Sequence, residues 1–159
     1  MDLVAILIKG LCAGLFAGAL GVLFTAPPRY IVPAFVCGFA GHFTRDALMG
    51  WGLTQSWSTA VAAAVVVFVA VAIIRGHVVS PVVLVSAVLP LGASMAMFSA
   101  ILNLMKISSL QGEAVSGAAV ALSANAGKAF VTSLAVALGL GAGMAIVRLF
   151  RRGDVREGV

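Results

Sequence analysis

The chain has 159 residues, enough for one soluble domain, yet 62% of them are hydrophobic and only 9% are charged, against about 25% charged in ordinary soluble proteins. With a mean hydropathy of +1.18, a water-soluble enzyme and a disordered tail are both excluded, and an all-α, polytopic integral membrane protein is expected. The net charge of +5 comes from basic residues at segment ends, which speaks for anchors at a membrane face and against nucleic-acid binding.

A membrane span needs about 20 apolar residues. By that measure the chain reads as a single transmembrane domain, 1–159, with five spans near 3–26, 30–49, 57–75, 79–105 and 124–150 and a basic tail at 151–159. The first is interrupted only by Lys9, whose long stem can snorkel to the surface. It does not read as a secretory signal, since no basic region precedes the apolar run. Gly10, Gly14 and Gly18 recur every fourth residue and make a smooth stripe for close helix approach. Pro27 and Pro28 are expected to close this span. Cys12 here and Cys37 in the next span have no partner at metal spacing and read as packing residues, so no metal or cofactor is expected.

The second span is the most polar. His42, Arg45 and Asp46 differ by three and four positions and share one helical face. An imidazole, a guanidinium and a carboxylate so placed can bind an anionic group or relay a proton; the alternative is a charged helix end facing water. Trp51 and Trp57 flank the following loop as an interfacial aromatic belt, and Ser56 is the expected N-cap of the third span. The fourth span carries Pro90 near its middle, with Gly92 and Ser94 close behind. A break there exposes backbone groups at membrane depth, as substrate-binding transporter helices do; a plain proline kink is the competing reading.

The last apolar segment, 114–147, exceeds the thickness of a bilayer core. It is expected to begin outside the membrane or to break near Ala124–Gly127. Asn125 and Lys128 share a face with Thr132. Either they meet the broken fourth span and offer a cation to substrate, or Lys128 anchors the interface. Ala135, Gly139 and Gly143 form a second small-residue stripe. Both stripes fit a subunit interface or packing between the chain's own helices. With five spans, Arg29, Arg75, Arg148, Arg151, Arg152 and Arg156 fall on one side, against Arg45 and Lys106 on the other. The N-terminus is then outside and the C-terminus cytoplasmic.

Several of these residues resemble a known family. Ala26-Pro27-Pro28-Arg29 is similar to an xPxR turn, Gly38-Phe39-Ala40-Gly41-His42-Phe43-Thr44-Arg45 to a GxxGHxxR pattern, and Gly52-Leu53, Trp57-Ser58-Thr59, Val88-Leu89-Pro90-Leu91-Gly92 and Lys106-Ile107-Ser108 follow in order. Together they resemble the small, YjjB-type subunit of split threonine/serine exporters, the ThrE family. The family usually shows a second proline after the first, where this chain reads Pro90-Leu91-Gly92-Ala93-Ser94. The resemblance implies a proton-driven secondary exporter in a bacterial inner membrane. It also implies a larger, YjjP-type partner subunit and substrates that are small carboxylates: threonine, serine or a C4 dicarboxylate such as succinate. On that reading His42, Arg45, Asp46, Pro90, Gly92, Ser94, Asn125 and Lys128 are the candidate pathway residues. A structural or assembly subunit, and a self-sufficient homo-oligomeric channel, are the alternatives.

Overall fold

A computed structural model describes residues 3–74, 81–91, 94–109 and 113–156. Arg75 and Gly92 lie outside the described residues, and so do the side chains of Ser94, Arg151, Arg152 and Arg156. The described residues form helices and connecting turns, with no strand among them: α1 (Leu3–Leu23), α2 (Ile31–Gly50), α3 (Gln55–Ile73), α4 (Pro81–Val88), α5 (Ser94–Ser109) and α6 (Glu113–Arg156). The fold is an all-α polytopic membrane protein. α1, α3 and the 115–150 portion of α6 are each long and apolar enough to cross a bilayer, and α4 with α5 passes the same test only as a pair, a broken span or a re-entrant loop. α2 is 20 residues long, about 30 Å, which matches a bilayer core. Its second half is too polar to meet the same apolarity criterion, for it holds His42, Thr44, Arg45 and Asp46.

α1 stops before the prolines expected to end it. Ala26 N–H donates to Gly21 O at 3.0 Å and Thr25 N–H to Val22 O at 2.9 Å, the paired bonds of a Schellman cap. The residue in the left-handed position is Thr25, with φ 53°. α2 ends in the same way: Leu53 N–H donates to Leu48 O, Gly52 N–H to Met49 O, and Gly52 has φ 91°. A short 3-10 turn, Pro28–Tyr30, leads into α2. Pro33 is tolerated in the first turn of α2, where backbone N–H groups have no intrahelical acceptor to lose. At α3 the residue preceding the helix is Thr54, without a side-chain cap, and not Ser56 as expected.

Small residues set the helix spacing. Both glycine stripes face the chain's own helices. A methyl placed on Gly10 would meet the Phe39 ring of α2 at 3.2 Å, and one on Gly14 would come within 2.9 Å of the Phe35 carbonyl oxygen. Gly139 and Gly143 of α6 lie against Ala60, Ala63, Ala64 and Val67 of α3. The centre of the bundle is built from Ala34 and Cys37 of α2, Ala62, Val66 and Ala70 of α3, and Val83, Ala87 and Leu91 around α4. In lipid no hydrophobic driving force acts between helices, so such close van der Waals packing is what holds them together.

α6 runs unbroken for 44 residues, about 66 Å. The break expected near Ala124–Gly127 is absent. The segment has no proline and is rich in alanine, the strongest helix former. A single Gly127 costs only about 1 kcal/mol in a helix and does not stop it.

Candidate functional site

The α4–α5 pair is interrupted at the proline. α4 ends at Val88, Leu89–Leu91 form a 3-10 turn, and the halves Pro81–Leu91 and Ala96–Ser109 lie at 57° to each other. Proline has no N–H for the carbonyl four residues before it, and α4 gives way to the 3-10 turn, so the carbonyls of Pro90 and Leu91 lie at a helix end and accept from donors outside it. Those donors come from α2. His42 Nε2 lies 3.0 Å from the Pro90 carbonyl oxygen. A carbonyl only accepts, so Nε2 carries a proton and donates. Arg45 donates through a terminal guanidinium nitrogen to the Leu91 carbonyl oxygen. Two side chains one helical turn apart thus take up two consecutive carbonyls at the break.

Glycine makes the reach possible. Any side chain at Gly41 would press on Leu91 and Val66, since its Cβ would be 2.7 Å from both. Gly38 gives the same close access to Ala13, Gly14 and Ala17 of α1. The Gly38–Arg45 motif therefore has a physical meaning. Its glycines let α2 touch α1 on one side and the broken turn on another, and its His and Arg bind the carbonyls found there.

Beside this junction is a cleft of about 810 Å³. Lys9, Cys12 and Phe16 of α1, His42, Arg45 and Asp46 of α2, and Pro90 line it. Arg45 Nε donates to Asp46 Oδ1 at 3.4 Å, and the two side chains are only 17% and 14% exposed. They do not simply face water at a helix end. The guanidinium has five N–H donors, of which one goes to Asp46 and one to Leu91, leaving three for a ligand. The His42 Nδ1 atom is buried without a hydrogen-bond partner. Among the described residues no group of His, Cys, Asp or Glu could hold a metal ion.

Of the expected pathway residues, the structure brings His42, Arg45, Asp46 and Pro90 together. Asn125 and Lys128 do not line this cleft. They sit on α6, which packs on α3 and α5 while the cleft belongs to α1, α2 and the break. Lys128 is exposed, and its carbonyl accepts from Thr132 Oγ1 at 2.7 Å. Lys9, whose stem can snorkel to the surface, is exposed and lines the cleft. Its spacing of three from Cys12 placed both on one face of α1, but which face turns towards α2 depends on the glycine packing between the helices.

The sequence matches the threonine/serine exporter family model, ThrE, over residues 3–147. The chain belongs to the ThrE family. It is therefore a multi-pass membrane protein of threonine/serine exporter type, and the match takes in every element that builds the cleft. Neither the curated proteins nor the solved structures gave a match.

Proposed function

We propose that this chain is the small subunit of a two-component exporter and lines part of the route by which a small carboxylate leaves the cell. The substrate is threonine, serine or a C4 dicarboxylate such as succinate. One observation carries the reading: the helix broken at Pro90 has its carbonyls held by His42 and Arg45 at the edge of a cleft that also bears charge. Broken helices at membrane depth are tolerated only where protein or a polar cavity receives the backbone, and transporters use them to hold substrate. The cationic groups of the cleft suit a carboxylate, Asp46 suits an ammonium, and the free Nδ1 of His42 suits proton exchange.

The same geometry calls for a partner. The cleft is bounded by α1, α2 and the break, and lipid is a poor cover for Lys9, Arg45 and Asp46. A larger, YjjP-type membrane subunit closes it in our reading. α2 crosses the bilayer as a fifth span. The positive residues then put the N-terminus outside and the C-terminus in the cytoplasm of a bacterial inner membrane. Lys128 serves as an interfacial anchor. A purely structural subunit is less favoured, because the glycine stripes that suggested it are occupied by the chain's own helices.

The test is export of labelled threonine, serine and succinate from proteoliposomes holding this chain, the larger subunit, or both. Transport by the pair and by neither alone is expected. Transport by this chain alone would overturn the two-component reading, and transport by the larger subunit alone would overturn this chain's place on the route.

A further inference from the structure

The charges lining the cleft are not equally available. Arg45 is engaged with the Leu91 carbonyl and with Asp46, whose carboxylate balances its charge. Lys9 lines the same cleft and makes no hydrogen bond or ion pair with any described residue. Among the lysine, arginine and aspartate that line the cleft, two cations face one anion, and Lys9 is the cation with no partner among the described residues. An unpaired cation in a membrane helix is costly, and such residues usually face a polar cavity or a ligand rather than lipid.

We infer that Lys9 is the residue that receives the substrate's carboxylate in this cleft, while Arg45 acts as a positioning residue that holds the broken turn. This rests on the reading of the cleft as the substrate route. Its physical basis is division of labour. A guanidinium already forked between a carbonyl and a carboxylate fixes geometry. A free ammonium on a flexible stem is a mobile point charge able to follow a moving anion.

Cys12 provides a probe that does not depend on transport. It is exposed, lines the cleft, and lies one helical turn from Lys9 on the same face of α1. The other cysteine, Cys37, is buried in the bundle, and peptide mass distinguishes the two. The experiment compares labelling of Cys12 by an anionic and a cationic methanethiosulfonate reagent in membranes holding the chain with its larger subunit. In the parent protein the anionic reagent is expected to react several-fold faster, and L-threonine or succinate to slow it. Lys9→Met should bring the two rates together and abolish protection, and Lys9→Arg should restore both. In transport, Lys9→Met should raise KM by about tenfold or more, the loss of one charge-assisted contact. Threoninamide, which lacks the carboxylate, should compete equally well in both proteins.

An unchanged reagent preference in Lys9→Met, or no labelling of Cys12 by either reagent, would overturn the assignment. The two levels separate cleanly. If Lys9→Met keeps its KM while Arg45→Gln and Pro90→Ala lose transport, the Lys9 role falls and the cleft stands. If no transported substrate protects Cys12 in the parent protein, the cleft itself is not the route.

Discussion

His42 on α2 reaches across the bundle to place its Nε2 atom 3.0 Å from the carbonyl oxygen of Pro90, a residue 48 positions further along the chain. The contact joins the helix that carries His42, Arg45 and Asp46 to the break between α4 and α5. It accounts for both features at once. The break needs a donor that the helix cannot supply, and the polar helix carries one that would be expensive to leave in hydrocarbon.

Removing that donor should therefore be costly. His42→Ala leaves the Pro90 carbonyl without its partner and should destabilise the chain by about 1–3 kcal/mol. His42→Gln, whose amide can still donate, should recover part of the loss. Thermal unfolding of the detergent-solubilised variants measures this, and equal stability of His42→Ala and the parent would show that the bond contributes nothing.

The α3–α6 contact gives a paired prediction from two glycines two residues apart. A Cβ on Gly139 would collide with the Ala60 carbonyl oxygen and would lie 2.9 Å from the Ala63 Cβ, whereas a Cβ on Gly141 meets nothing within 4 Å. Gly139→Ala should destabilise by about 1–3 kcal/mol through overpacking. Gly141→Ala should be neutral or should stabilise by up to about 1 kcal/mol through helix propensity. Melting temperatures of the two variants, compared side by side, check the sign of each.

A smaller effect is expected at the end of α1. Thr25 is β-branched and occupies the left-handed position of a cap that Gly52 fills at the end of α2. Thr25→Gly relieves the strain and should stabilise by about 1 kcal/mol, at the loss of the bond from Oγ1 to the Phe24 carbonyl. Thr25→Val loses that bond and keeps the strain, so it should melt below the parent.

These residues also show what the sequence makes legible. Pro90 announces its own break because proline acts on the local backbone. The helical face of His42, Arg45 and Asp46 follows from spacing alone. What those side chains meet does not, since their partners are carbonyls, which every residue has and no sequence pattern marks. Lys9 is visible as a costly charge, but its place beside His42 depends on how α1 rolls against α2, which Phe35 and Phe39 settle by packing on Gly14 and Gly10. The unbroken α6 is a case where a local cue misleads. Asn125 and Gly127 weaken a helix, but the alanines around them carry it through. The glycine stripes are legible as packing surfaces, whereas the identity of the helix packed on them is a property of the whole bundle.

The most direct measurement of the central claim is the rate of export by Arg45→Gln and Pro90→Ala, each expressed with the larger subunit and matched to the parent for amount in the membrane. Gln at 45 removes the cation and the guanidinium N–H that holds the Leu91 carbonyl, and Ala at 90 lets the helix heal across the break. The account predicts that both variants assemble and that export falls by about tenfold or more, the equivalent of about 1.4 kcal/mol. Export at the parent's rate from either well-assembled variant would contradict it.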